Sequence, residues 1–365
     1  MKAAVLEAID QPLVVQEIDI EPPKTGEVGL KIVASGICRS DYSNANGTLR
    51  TPLPVVLGHE AAGIVESVGP GVDLVSIGDH VVAALTPDCG ICPMCAEGKP
   101  YLCFQMGHTM SRSTLLDGTT RLRRGEEVIH QICGVASFAE RAVIPAGAAI
   151  PISRDARLES VCLIGCGVTT GLGAALNTAG VEPESSAAVI GCGGVGLSII
   201  QGCRLAGAST IVAIDPAAEK RELAISVGAT HTIDPSTEDV AKSIRKIARF
   251  GVHYAFEAIG RVDTIEQAWR IIRPTGQAVV VGMPSATESV SIRVGGFFQQ
   301  KRITGSVYGS SNPKTDIPHY VDLYQRGELQ LDAMITQRIS LEQINDAFDE
   351  MGRGEGARSV VVFDS

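Results

Sequence analysis

The chain has 365 residues, with 31 Lys and Arg against 41 Asp and Glu and a formal charge of −10. That length suffices for two domains, each with its own core. The acidic balance argues against a nucleic-acid or anionic-membrane surface as the main partner and points to a small molecule. The amino terminus, MKAAVLEAIDQPLVVQEIDIEPP, alternates apolar and charged residues instead of building the basic and apolar blocks of a signal peptide. No clean apolar run reaches the ~18 residues that would span a bilayer. A cytoplasmic setting is expected, in which the ten cysteines stay reduced and clustered ones read as metal ligands or redox groups.

Up to about residue 150 the chain is a series of short strand-like runs broken by Gly and Pro: KAAVLEAI, EVGLKIVASGIC, AAGIVESVG, DHVVAAL and ERAVIP. No βαβ alternation is evident, so an irregular antiparallel or barrel-like domain is predicted. Within it, CGICPMCAEGKPYLC sets Cys89, Cys92, Cys95 and Cys103 at C-x2-C-x2-C-x7-C. The long last gap and the Phe104 that follows suit a ferredoxin run poorly. A thioredoxin-like C-x-x-C would follow a strand of a βαβ unit, which is not found here. Four thiolates on a short lobe suit tetrahedral zinc, and a site with all four positions filled is structural.

From about Ala187 the texture changes. SAAVIGCGGVGLSIIQGCRLAG reads as a buried strand, a glycine turn and a helix, followed by the strand TIVAID and the helix AAEKRELAISVG. Further apolar runs, HYAFEAIG and GQAVVVGM, alternate with helical stretches such as TIEQAWRII, the pattern of a doubly wound parallel sheet. Gly191, Gly193 and Gly196, with Gly194 and Val195 between them, occupy the G-x-G-x-x-G positions, and Asp215 ends the next strand about twenty residues on. The glycines allow a tight turn, close approach of a pyrophosphate and packing of the helix, whose amino-terminal amides attract phosphate. An acid at 215 would bind ribose hydroxyls and repel a 2′-phosphate, so NAD is expected over NADP. Lys220 is either a solvated helix charge or a second ribose contact. Near the carboxyl end, SLEQINDAFDEMGRG predicts a helix capped by Ser340, and SVVVF a last strand.

Three further motifs gain meaning together. SGICRSD holds Cys38, G-H-E-x-x-G-x-V-x-x-x-G holds His59 and Glu60, and GCGVTTG holds Cys166. With the four-cysteine lobe and the G-x-G-G-V-G turn before Asp215, this order resembles the zinc-dependent medium-chain alcohol dehydrogenases over essentially the whole chain, and most closely their two-zinc, class III-like branch. The resemblance implies an α/β fold: a GroES-like β-rich catalytic domain of residues 1–167 and 308–365, with its structural zinc lobe at about 88–104, and a Rossmann doubly wound parallel-sheet domain of residues 168–307 that binds NAD.

It also implies a catalytic zinc on Cys38, His59 and Cys166 with a fourth position open, Glu60 as a near-metal carboxylate and Asp41 as the acid that orients His59. Ser40 would take the alcohol proton; Ser43 stands where many members carry a histidine, so the outer end of the relay is altered. Arg39, Thr170, Ile259, Arg261 and Arg358 are the implied further coenzyme contacts. Leu85, Phe138, Met283, Val307 and Tyr308 are the implied apolar lining of the substrate pocket, where Leu85 replaces a frequent aromatic and would admit bulkier or secondary alcohols. The expected protein carries NAD and two zincs per subunit and acts on an alcohol or aldehyde without nucleic-acid or membrane partners. It pairs as a homodimer through VSIRVGGFFQQKRITGSV, a tetramer being the alternative. Two competing readings are a thiol-dependent formaldehyde dehydrogenase of the mycothiol type and a nucleotide- and zinc-binding protein without turnover.

Overall fold

In the computed structural model, which describes residues 1–285 and 287–364, the chain divides into two units, Met1–Cys166 with the chain from Asn312 onward, and Gly167–Ser311. Gly167 and residues 308–311, expected with the first domain, therefore belong to the second. Polar contacts hold the latter segment there: Thr178 Oγ1 lies 2.8 Å from Ser310 Oγ, and Asn177 Nδ2 donates to Ser311 Oγ at 3.3 Å.

The first unit is built on the strand Glu27–Gly36, which is antiparallel to Glu60–Val68, Arg141–Pro145 and Arg358–Val362. Its apolar run is buried along nearly its whole length, as a strand covered on both faces requires. A second sheet joins Lys2–Leu6, Val14–Glu17, Val55–Val56, Glu127–Gln131, Leu122–Arg124 and Asp19–Ile20. Most pairings are antiparallel, as the lack of βαβ alternation suggests; Val55–Val56 with Glu127–Gln131 and Ile335–Ile339 with Arg358–Val362 are parallel exceptions. Leu6, Leu57, Ile129 and Phe138 fill the core beside the second sheet, Phe138 meeting Phe348 edge-on at 6.1 Å. Each such side chain contributes about 1.5–3 kcal/mol through burial. The expected helix at Ser340 begins as a single 3-10 turn, Leu341–Gln343, closed by a reciprocal Ser340–Gln343 capping box, and continues as the α-helix Ile344–Arg353.

The second unit is a six-stranded parallel sheet in the order His231–Ile233, Thr210–Ile214, Ser186–Ile190, Val252–Glu257, Ile272–Val280, Arg302–Gly305. Ser186–Ile190 is buried at every position, and the chain leaves it first to one side of the sheet and then to the other. That reversal opens a crevice at the carboxyl ends of Ser186–Ile190 and Val252–Glu257, the place where open α/β sheets bind ligands. Among the described residues no single helix is long and apolar enough to cross a membrane.

One charge cluster lies inside the first unit. Arg121 is 0% exposed; its Nε donates to Glu27 Oε2 at 2.8 Å, and its Nη2 donates to Glu27 Oε1 and, at 2.7 Å, to Asp117 Oδ2. It joins the segment before Leu122–Arg124 to the first residue of the central strand, and Arg121 and Glu27 leave water to do so. Removing one member strands the other. Arg121→Met is expected to lower stability by about 3–5 kcal/mol in urea unfolding; a loss below about 1 kcal/mol, the range of exposed pairs, would show that the cluster does not hold this segment to the central strand.

Candidate active site

Asp41 organises the first candidate centre. It lies in the first turn of the helix Arg39–Ala45 and is 0% exposed. Its Oδ2 accepts from the Cys38 amide at 3.0 Å, and its Oδ1 accepts from the Gly58 amide at 3.0 Å and lies 3.0 Å from His59 Nδ1. A carboxylate only accepts, so Nδ1 donates its proton there, and Nε2 is the nitrogen left to face a metal. Nε2 lies 3.2 Å from Ser40 Oγ, which is also 3.2 Å from Cys38 Sγ.

Cys166 enters from the 3-10 turn Cys162–Gly165. The ligand atoms of Cys38, His59, Glu60 and Cys166 all lie within 4.8 Å of one another, and all four residues are buried. The hydrogen bond with Cys166 pushes the Cys38 thiol down, against the opposing effect of burial, and His59 adds to the fall. Two sulfurs, an imidazole and a nearby carboxylate form a donor set that suits zinc.

Arg358, expected as a coenzyme contact, is paired with Glu60 in the first unit. It is 5% exposed, and its Nη2 donates to Glu60 Oε2 inside the first unit. A guanidinium taken out of water needs such a partner, and Glu60 supplies it. The same pairing holds Glu60 beside the two cysteines and His59.

The second candidate centre is the four-cysteine lobe. The sulfurs of Cys89, Cys92, Cys95 and Cys103 lie within 4.8 Å of one another, with Cys92 Sγ 3.5 Å from Cys95 Sγ and 3.9 Å from Cys103 Sγ. The short helix Pro93–Ala96 turns the chain between the second and third of them. Backbone amides point at the sulfurs: Cys89 N donates to Cys103 Sγ at 3.4 Å, and the amides of Phe104 and Cys95 hold the Cys92 thiol down to about 6. Four sulfurs gathered around one point fit a closed tetrahedral metal.

In the second unit, Gly191 has φ +93°, and a β carbon there would meet Ile259 Cγ1 at 2.6 Å; one on Gly196 would strike the Gly191 carbonyl. Gly193 precedes the helix Gly194–Leu205 with nothing within 4 Å of its missing side chain, leaving the approach to the helix terminus open. Gly194 and Val195 are half-buried beside it. Asp215 sits just past the strand Thr210–Ile214; its Oδ2 accepts from Cys192 N and its Oδ1 from Ala217 N, each at 2.9 Å, which aligns the carboxylate with the glycine turn. Arg221, which no motif singled out, braces this corner: its Nη1 donates to the Asp215 carbonyl at 2.7 Å and its Nη2 lies 3.3 Å from Asp234.

The remaining expected contacts lie on several elements of the two units. Lys220 is half-buried on the helix Ala218–Ser226, and Thr170 half-buried on Gly167–Gly173. Ile259 is 45% exposed. Arg261 precedes the helix Val262–Ile271 with its guanidinium on Asp263 at 3.0 Å. In the first unit, Arg39 lies over the Tyr42 ring at 4.7 Å and donates to the Met351 carbonyl, and Ser43 follows Ser40 by one turn of the same helix.

Of the expected pocket residues, Leu85 is half-buried against the first-unit core, but Phe138 is 0% exposed within that core and lines no open surface. In the second unit Met283 and Val307 are exposed, whereas Tyr308 is 3% exposed and equally withdrawn. Apolar packing claimed the Phe138 ring. Cys133 and Met110 were missed. Cys133 is buried, its Sγ is 3.5 Å from Met110 Sδ, and its thiol, pushed up to about 11 by burial, also feels His59, Asp41 and Cys38. A cysteine and a methionine outside any motif offered no signal in the sequence.

Asp41→Asn is expected to weaken zinc binding at Cys38, His59 and Cys166 by about 10–100-fold, measured by competition with a chelator. Unchanged affinity would mean that Asp41 does not orient His59.

Residues 24–154 match the family model described as alcohol dehydrogenase GroES-like domain, and residues 194–326 the one described as zinc-binding dehydrogenase. The crystal structure of an alcohol dehydrogenase zinc-binding domain protein from Burkholderia ambifaria is similar at 35% identity and a TM-score of 0.96, over 100% of this chain and 99% of that one. Benzyl alcohol dehydrogenase from Acinetobacter calcoaceticus is similar at 32% identity and a TM-score of 0.95, with the same coverage of 100% and 99%. A zinc-binding dehydrogenase from Sinorhizobium meliloti 1021, solved bound to NADP, is 28% identical with a TM-score of 0.83 over 99% of each chain. The chain is thus a member of the zinc-dependent medium-chain alcohol dehydrogenase family.

Proposed function

We propose that the protein is an NAD-dependent alcohol dehydrogenase that interconverts an alcohol and its aldehyde or ketone, with one zinc on Cys38, His59 and Cys166 and a second on the four-cysteine lobe. The observation that carries this reading is the convergence of Cys38, His59, Glu60 and Cys166 within 4.8 Å, a buried set in which three ligands leave a position for substrate. When bound, the metal supplies a Lewis acid that acidifies a hydroxyl and polarises a carbonyl, and the dinucleotide supplies the hydride acceptor.

The chain's own residues do the rest. Asp41 keeps the proton on Nδ1 so that Nε2 is free to ligate. Ser40 Oγ, 3.2 Å from both Cys38 Sγ and His59 Nε2, receives the proton that the substrate hydroxyl releases. Ser43, one turn further along, passes it outward or leaves that step to water. Arg358 holds Glu60 by its Oε2, so that the carboxylate stays beside the site without an uncompensated charge.

NAD is favoured over NADP by Asp215, whose carboxylate beside the glycine turn would repel a 2′-phosphate. The substrate class proposed is an apolar, aromatic primary alcohol. Leu85 and Met110, partly buried against the first-unit core, offer apolar surface, and the Acinetobacter relative is a benzyl alcohol dehydrogenase. A second copy of the chain is the proposed partner: Arg302–Gly305 is an edge strand, and Val294, Phe297 and Phe298 before it are exposed. The ten unpaired thiols suit a reducing, cytoplasmic location.

With benzyl alcohol and NAD, followed as NADH formation, Ser40→Ala is expected to lower kcat by about 10²–10⁴-fold at unchanged zinc content. Turnover by Ser40→Ala within about twofold of wild type would remove Ser40 from the proton path.

A further inference from the structure

The residue at the mouth of the parallel sheet's crevice is not a glycine-turn residue. Glu257 is the last residue of the strand Val252–Glu257, paired in register with Ile190 at the end of the central strand. These two carboxyl ends flank the point where the strand order reverses. Glu257 is nevertheless 0% exposed, because its side chain folds back under the loop that follows.

Its two oxygens are used unequally. Oε1 accepts from the Ile259 amide at 3.0 Å, the Gly260 amide at 2.8 Å and Thr264 Oγ1 at 2.8 Å. Oε2 is buried with no hydrogen-bond partner among the described residues. The main-chain carbonyl of the same residue accepts from Val281 N at 2.8 Å and Gly282 N at 2.9 Å. Two loops from successive strands therefore meet on one residue.

The consequence is visible at Ile259 and Gly260. Gly260, at φ +86°, lies so close to Met283 that a β carbon would meet its carbonyl carbon at 2.8 Å. Ile259, whose amide Glu257 holds, brings its side chain against Gly191 of the dinucleotide turn while remaining 45% exposed. A position required only for packing would be filled better by an apolar side chain, since a buried carboxyl with an unused oxygen carries a desolvation cost. What the carboxylate adds is a strong acceptor aimed at backbone amides.

We propose that Glu257 is a positioning residue for the dinucleotide: by gathering two amides and a hydroxyl on one oxygen it shapes the loop 258–261 and sets Ile259 beside Gly191 before the coenzyme arrives. The inference rests on the coenzyme reading given above. Preorganisation of this kind acts on affinity, because the loop's ordering cost is met before binding.

The test is fluorescence titration of NADH into the full-length, zinc-replete protein, wild type against Glu257→Ala, Glu257→Gln and Ile259→Ala, with Val240→Ala as a core control in the same unit. Glu257→Ala is expected to raise the NADH Kd about tenfold or more, the equivalent of losing one charge-assisted hydrogen bond's worth of order. Glu257→Gln keeps an oxygen for the same three donors and should restore the Kd to within about threefold of wild type. Val240→Ala should lower the melting temperature and leave the Kd alone.

A folded Glu257→Ala protein with the wild-type Kd overturns the proposal, as does an equal loss of affinity in Val240→Ala, which would mark general destabilisation. Should Glu257→Ala not fold, Ile259→Ala and Glu257→Gln decide: wild-type affinity in Ile259→Ala, or a Glu257→Gln Kd raised tenfold or more, overturns it. Failure of the wild type to bind NADH would overturn the coenzyme reading itself, whereas binding by the wild type with an unchanged Glu257→Ala overturns the positioning role alone.

Discussion

The hydrogen bond between His59 Nδ1 and Asp41 is the contact on which the candidate active site depends. One buried carboxylate accepts from the Cys38 amide, the Gly58 amide and the imidazole, and so places two metal-ligand candidates from different segments while fixing which ring nitrogen can ligate. The helix Arg39–Ala45 owes its first turn to the same residue, and Ser40 is carried on that turn to 3.2 Å from both ligand atoms. The placement of Cys38, Gly58 and His59 thus traces to a single side chain. Arg358 plays the complementary part for Glu60, setting a buried guanidinium against its carboxylate beside the two sulfurs.

In the other unit the constraint is topological. A parallel sheet that extends first to one side of Ser186–Ile190 and then to the other must leave a crevice at the carboxyl ends, and the residues on its lip are specialised accordingly. Gly191 and Gly196 remove side chains where backbone has to pass, Asp215 is aimed by Cys192 and Ala217 amides, and Glu257 holds the facing loop. These devices are short-range, each built within a few residues of a strand end, which is why the parallel sheet tolerates them.

That locality explains what could be read from the sequence. The glycine turn, the four-cysteine lobe, the SGICRSD and GHE motifs and the alternation of strands and helices are all patterns over a few residues; Thr210–Ile214 and Arg141–Pro145 stand within a residue of their expected bounds, whereas Ile272–Val280 starts four residues earlier than its apolar run. Contacts between distant segments were legible only where the family resemblance implied them, as for Asp41 with His59. Nothing near Arg358 in sequence announces that it will be buried against Glu60, and an apolar ring such as Phe138 reads the same whether it lines a pocket or fills a core. Cys133 and Met110 reach the neighbourhood of His59 only through the fold. Residues 308–311 went to the second unit through side-chain contacts with Asn177 and Thr178 that no local pattern encodes. Glu257 was hidden for another reason: inside the run HYAFEAIG it is one polar residue at a strand end, and only its hydrogen bonds reveal its task.

The most direct measurement of the central claim is anomalous diffraction at the zinc edge from crystals of the native protein. The expected result is one zinc peak among the sulfurs of Cys38 and Cys166 and Nε2 of His59, and another among the four lobe sulfurs. A peak confined to the lobe, with native zinc retained and the Cys38, His59 and Cys166 atoms ordered, would contradict the assignment of catalysis to those three residues.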